Sequence, residues 1–275
     1  MKQFAYIILS IFILFSSCQN KKEEVITGKT LEERQKVDSV VNEMFGESSN
    51  DLNYLEFDEK KVDTLLELNN KGMLQIKLCD SLLIQDYIED DKMLKAISNQ
   101  FSNSQESALA IENYLFKTNR GLFKRDSIGL KLKLENGNWI RVSVNDSTYD
   151  EVDNTFENYF KEFGFYSVRT QCGEGNGFKI INSKTGKEIR INGRPYFSKN
   201  GRFLIAVNCD IEAGYSANGF QLFENLNGNL MELIEFDPQN WGSLSAKWLN
   251  DSTVILKNET FQKQFYTRLT LKKSN

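Results

Sequence analysis

The chain has 275 residues, 40% of them hydrophobic and 12% aromatic, which is enough to bury a core and excludes wholesale disorder. Its formal charge of -4 implies no basic face and argues against nucleic acid as a partner, because that affinity comes from clustered Lys and Arg neutralising phosphates. It has no histidine, which removes Ser-His-Asp and Cys-His catalysis, histidine-bound zinc and haem, and the usual general base near neutral pH.

The first element in chain order is the apolar run Phe4 to Phe15, preceded by Lys2 and followed by Ser16, Ser17 and Cys18. It is too short for a hydrocarbon core of about 30 Å, which takes roughly 20 helical residues, and so it reads as the apolar segment of a signal peptide over 1–17. Phe15-Ser16-Ser17-Cys18 resembles the lipobox of bacterial lipoproteins, with Phe15 where the motif more often has Leu. The resemblance implies that the cysteine carries the lipid and that the mature chain begins there, with the lipid as its anchor in the membrane. An ordinary secretory signal with a coincidental cysteine is the alternative. Gln19 after the cysteine is similar to outer-membrane rather than inner-membrane sorting in that family, and Lys21-Lys22-Glu23-Glu24 is similar to short charged surface-export tags. Residues 18–29 then serve as a tether.

From Gln19 to Ser127 there are 15 Lys and Arg against 21 Asp and Glu, a net of -6; from Ile128 onward the count is 18 against 17, a net of +1. The first part is expected to be mostly helical over 30–127. Thr30 with Glu33 forms a capping-box pattern, and Val37, Val40, Val41, Met44 and Phe45 follow one helical face up to Gly46. Val62, Leu65 and Leu66 predict a second short helix before Gly72. Met73 to Cys79 predicts a strand, Met93 to Phe101 a helix, and Ala108, Ile111 and Leu115 another helix after Ser104. The acidic clusters Asp58-Glu59 and Glu89-Asp90-Asp91 read as solvated faces.

From residue 128 the period changes to two. Leu130, Leu132 and Leu134 alternate with Lys131, Lys133 and Glu135, Asn136-Gly137 supplies a turn, and Trp139 to Val144 returns as a hairpin. Similar turn signals recur at Lys184-Thr185-Gly186, Lys199-Asn200-Gly201, Asn227-Gly228 and Asn250-Asp251-Ser252. Asn158 to Cys172 aligns without a gap on Pro195 to Cys209, and Ala246 to Leu256 gives a third, shorter copy. Hairpins over Phe178 to Ile191 and Phe220 to Phe236 follow the first two copies, so each unit reads as about four strands, similar to one propeller blade. A competing reading places Phe156, Tyr159, Phe160 and Phe163 on a helix ending at Gly164.

Pro195-Tyr196-Phe197-Ser198-Lys199-Asn200-Gly201-Arg202-Phe203-Leu204 resembles the blade motif of WD40-like and TolB-type β-propellers. The expected class is therefore α+β: a helical N-terminal region, then an antiparallel all-β region over 128–275 of about three propeller-like four-stranded units, open or closed.

No catalytic constellation stands out, and no cofactor or metal is expected. Gly173-Glu174-Gly175-Asn176-Gly177 lacks the lysine and the following helix of a phosphate loop, and reads as a hairpin turn. Trp139, Trp241 and Trp248 read either as core or as a sugar-stacking platform. The long connection at 210–219 is a candidate binding loop through Asp210, Glu212 and Tyr215. Cys172 and Cys209 end equivalent strands, so they are the disulfide candidates in an exported protein, with Cys79 reduced; two buried small hydrophobes is the alternative. The expected function is a lipid-anchored outer-membrane lipoprotein that binds or scaffolds an envelope protein without catalysis. The alternative is an Asp/Glu-dependent hydrolase or a carbohydrate-binding protein.

Overall fold

The computed structural model describes residues 57, 61–69, 71–80, 92–144, 151–173, 175–212 and 214–272. Cys18, the tether and the helix expected over Val37 to Phe45 lie outside the described residues.

The described chain is mostly antiparallel strand, arranged in four sheets. The first sheet is β3 (Phe123–Asp126), β4 (Gly129–Lys133) and β5 (Trp139–Arg141) in that order. The second is β6 (Glu151–Phe160), β7 (Phe165–Cys172), β8 (Gly175–Asn182) and β9 (Glu188–Ile191). The third is β10 (Arg194–Phe197), β11 (Phe203–Asn208), β12 (Gly219–Leu226) and β13 (Asn229–Phe236). The fourth joins the two ends of the described chain: β14 (Gly242–Asn250), β15 (Thr253–Glu259) and β16 (Gln264–Lys272) are extended by β2 (Met73–Cys79) and β1 (Thr64–Glu67). The three aligned hairpins therefore occupy the same place, as the leading two strands of the second, third and fourth sheets.

Three apolar cores join these sheets in series. Phe123, Leu130, Leu132 and Val142 pack against Phe156, Tyr166, Val168 and Ile181 between the first and second sheets. Phe165, Phe178 and Ile180 meet Leu204, Ala206 and Phe223 between the second and third. Ile205, Val207, Phe220 and Leu222 meet Trp241, Ala246, Val254 and Leu256, with Leu74 and Ile76 of β2, between the third and fourth. Because side chains alternate across a strand, Leu204 and Ala206 enter one core while Ile205 and Val207 enter the next. That explains the unbroken run Phe203-Leu204-Ile205-Ala206-Val207. The first sheet reads differently, Leu130-Lys131-Leu132-Lys133, because only one of its faces is covered. Among the described residues no core joins the first sheet to the fourth.

Two helices precede the first sheet, α1 (Lys92–Ser98) and α2 (Ser104–Phe116). The side chain of Asn103 caps α2 by accepting from the backbone N–H groups of Gln105 and Glu106. No helix of the described residues is long and apolar enough to cross a membrane.

The sequence expectations need three corrections here. The segment with Val62, Leu65 and Leu66 is not helical: Thr64–Glu67 is strand β1, folded back on β2 through a turn in which Asn69 and Gly72 have φ of 35° and 126°. The region over 30–127 is therefore not mostly helical where it is described, and β3 begins before residue 128. The helix proposed through Phe156 and Phe163 is strand β6 as far as Phe160, with Phe163 in the turn that follows. A bulge between Phe156 and Asn158 shifts the register, so that Phe156 and Tyr159 reach one core although three residues apart, which imitates helical spacing.

Candidate functional site: a cleft between the third and fourth sheets

The β1–β2, β10–β11 and β14–β15 turns gather with the end of β16 at one end of the joint between the third and fourth sheets and leave a cleft of about 550 Å³. Its apolar lining is Leu68, Phe203, Leu233 and Leu271; Lys71, Arg202, Glu224, Asp251 and Lys272 supply the charge. Each wall is fixed by local chemistry. Lys71 stands in the β1–β2 turn, closed by hydrogen bonds between Leu68 N–H and the Gly72 carbonyl and between Lys71 N–H and the Leu68 carbonyl. Arg202 and Phe203 follow the turn Lys199-Asn200-Gly201, where Ser198 Oγ accepts from Phe203 N–H at 2.9 Å and Asn200 Oδ1 accepts from Arg202 N–H at 2.9 Å. Gly201 has φ of 71° there, and a Cβ would overlap the Phe163 ring, so the turn requires glycine on both counts. Asp251 Oδ1 accepts from Asn200 N–H at 3.0 Å and ties the fourth sheet to the rim.

Glu224 organises the charge. Its carboxylate accepts from Lys71 Nζ at 2.8 Å and from Arg202 Nη2 at 2.9 Å. The Lys71 hydrogen bond, and then that of Arg202, hold the carboxyl below its usual range although burial pushes the other way. A carboxylate shared by two cations is a poor proton acceptor, so Glu224 positions the two cations rather than acting as a base. The Arg202 guanidinium also lies over the Phe203 ring, 5.1 Å from its centroid, and Phe203 stacks toward Trp248 at 6.3 Å. The cleft thus offers an apolar floor, a guanidinium over an aromatic ring, and Lys272.

The candidate loop and disulfide residues read from the sequence, Asp210, Glu212, Tyr215, Cys172 and Cys209, do not line this cleft, whereas Asn200, Arg202 and Phe203 of the blade motif and Asp251 and Ser252 of a turn signal do. Asp210 is engaged within its own loop, where it accepts from Gly214 N–H at 3.2 Å and Ser216 N–H at 2.6 Å. Ser216 Oγ in turn donates to the Asn176 carbonyl and ties the loop to the start of β8. Glu212 and Tyr215 are exposed on that loop. Of the glycine-rich segment, Gly175, Asn176 and Gly177 belong to strand β8, paired with Cys172, Gln171 and Thr170 of β7. Trp139 lies half-exposed on the first sheet while Trp241 and Trp248 belong to the third–fourth core, so the three do not form one platform.

The disulfide expected between Cys172 and Cys209 is not formed; Cys79, Cys172 and Cys209 are free. The two strand ends aim their thiols differently. Cys172 Sγ stays on its own sheet beside Thr170 Oγ1 and Arg190 Nη2, whereas Cys209 Sγ lies against Gly242 at the start of β14. Burial, and then Glu259, push the Cys209 thiol up to about 11, and burial also raises Cys79, so both stay protonated and weakly nucleophilic at neutral pH. Among the described residues no three His, Cys, Asp or Glu side chains converge as metal ligands.

Compared with known proteins, the sequence matches no family model and no curated relative. Sequence reasoning missed the cleft because Lys71, Arg202, Glu224 and Lys272 are spread over some 200 residues. The local signals were the turns at Lys199-Asn200-Gly201 and Asn250-Asp251-Ser252.

Proposed function

We propose that the chain is an envelope lipoprotein, acylated at Cys18 and held at the outer membrane, whose sheets form an open, propeller-like binding module without catalytic activity. The cleft receives an extended segment of a partner protein that presents an apolar side chain beside an acidic one. The observation that carries this reading is the pairing of an apolar floor with Arg202 laid on Phe203, a combination of the kind that dominates protein interfaces. The equivalent placement of the three leading hairpins supports the blade comparison.

Hydrolysis by a carboxylate pair is the second reading. It draws on Glu232, raised by burial and by Glu235, both of which accept from Gln221 Nε2. The two glutamates lie on the exposed side of β13 and outside the cleft lining, so binding is the reading adopted.

A photo-crosslinking residue in place of Asn200, introduced into the full chain in its own envelope, tests the proposal. The expected result is one dominant protein adduct that disappears when Arg202→Ala and Phe203→Ala are combined, with the fold checked by circular dichroism. Adducts that persist in that variant, or no adduct at all, would overturn it. The anchor is read separately: Cys18→Ala should release the protein from the membrane fraction and abolish palmitate incorporation.

A further inference from the structure

The first sheet carries a face that the net charge of the chain did not lead us to expect. On β3, β4 and β5 the register pairs Phe123 with Leu132 and Leu132 with Ile140 on the core side, and Lys124 with Lys131 and Lys131 with Arg141 on the other. Lys133 pairs with Trp139 on that same outer side. The outer face therefore displays four cations, Lys124, Lys131, Lys133 and Arg141, against one anion, Asp126, a net of +3 within a chain of net -4.

Like charges directly opposite each other on a sheet are destabilising unless something compensates them. Asp126 compensates two of the four: Arg141 donates to it in a fork at 2.8 and 2.9 Å, and Lys131 Nζ lies 2.7 Å away. Lys124 lies 4.1 Å above the centroid of the Trp139 ring, and neither it nor Lys133 has an ion-pair partner among the described residues. Trp139 is 37% exposed, and Ile128, in the β3–β4 turn beside Asp126, is 72% exposed. The Lys124 contact accounts for one side of the Trp139 ring, but no core contact accounts for the exposure of Ile128 at the turn or for Lys133 on the face.

We propose that this face docks on an anionic lipid surface. A discrete anion needs donors that converge on it, but here the guanidinium fork is already closed on Asp126 and the remaining ammonium groups are spread across the sheet. A charged membrane asks for something else: a diffuse basic field, together with an amphipathic ring and an apolar tip that settle at headgroup level. Trp139 and Ile128 supply the second part and the lysines the first. The inference uses the first sheet alone and is independent of both the cleft and acylation at Cys18.

The test uses the full chain with vesicles of phosphatidylcholine, alone or mixed with phosphatidylglycerol, and with brominated acyl chains as quenchers. Trp241 is buried and Trp248 lies within a core, so a Trp139→Phe control assigns the surface signal. Trp139 emission should be quenched on the anionic vesicles and not on the neutral ones, and added salt should weaken the effect. Lys124→Gln with Lys133→Gln should lower the affinity of the face by a factor of about thirty, at about fivefold for each basic residue near a charged surface. A protein that stays off neutral vesicles yet shows quenched Trp139 on anionic ones would refute the lipid anchor and uphold the docking face. Equal quenching on both vesicles, no quenching on either, or a Gln variant that matches the wild type would overturn the proposal. Protection of Trp139 by a soluble anionic polysaccharide without lipid quenching would overturn it too, and would reassign the face to a glycan.

Discussion

Two glycines show how far the fold depends on single atoms. Gly193 links β9 to β10 and passes so close to β11 that a Cβ would overlap the Val207 carbonyl, with Asn208 N within 2.9 Å. Neither partner can yield, because both belong to the backbone of a strand buried between two cores. Gly193→Ala should therefore cost about 3 kcal/mol or more, the upper end for overpacking. Gly137 is the contrast: its φ is 88°, but no atom lies within 4 Å of the place a Cβ would take. Gly137→Ala should cost only about 1 kcal/mol, the strain of placing a side chain in the left-handed region. Urea denaturation of the two variants checks this, and equal midpoints would show that steric contact at Gly193 is not what makes glycine necessary there.

At the scale of elements, a strand edge is closed by an ion pair. β6 has β7 on one side only, and on the other the Asn154 carbonyl accepts from Arg125 Nη2 while Phe156 N–H donates to Glu112 Oε2 at 2.6 Å. Arg125 Nε and Nη2 also donate to Glu112 at 2.6 and 3.1 Å, so the pair supplies one donor and one acceptor to the edge, as a neighbouring strand would. This contact docks α2, whose buried residues are otherwise only Ser107 and Ala108. Glu112→Ala leaves the buried Phe156 N–H without its acceptor, while the partly exposed Arg125 keeps Asp153, and should cost about 1 to 3 kcal/mol. Glu112→Gln keeps an acceptor and should recover part of that. Hydrogen exchange of the α2 and β6 amides reads it: if both retain wild-type protection in Glu112→Ala, the helix is held by something else.

Elements were legible in the sequence where one neighbour decides them. The β4–β5 hairpin follows from Asn136-Gly137 and the leucine alternation, and α2 from Ala108, Ile111 and Leu115 after Ser104. β1 was misread because Val62, Leu65 and Leu66 fit a helical face, whereas its structure is decided by β2, itself clamped by β16 nearly 200 residues away. The bulge in β6 hid its period in the same way. The cleft was illegible because its charges come from three separate turns and from strands β12 and β16, and the basic face because a net charge averages over the surface that a sheet sorts by alternation.

The described residues form a series of sheets in which the first is buried on one face and the last is completed by strands from the start and the end of the described chain. In such a series each sheet is stabilised mainly by its neighbours, so the strand pair that returns the N-terminal segment to the C-terminal sheet governs the stability of that end. β2 pairs with β16 from Met73 with Lys272 to Cys79 with Tyr266. Direct antiparallel partners have Cα atoms within the range that a disulfide tolerates, and Cys79 is free, so Tyr266→Cys should give a bridge to the native thiol. Burial first, offset in part by Arg268, raises the Cys79 thiol, so oxidation should be slow at neutral pH and faster in mild alkali. The bridge would close a loop of about 190 residues and should stabilise by about 5 kcal/mol through the entropy of the unfolded chain. Comparing the melting temperature of the same variant oxidised and reduced cancels the cost of losing the tyrosine ring. A Cys79 that still alkylates after oxidation, with no gain in melting temperature, would mean that β2 does not lie beside β16 in solution.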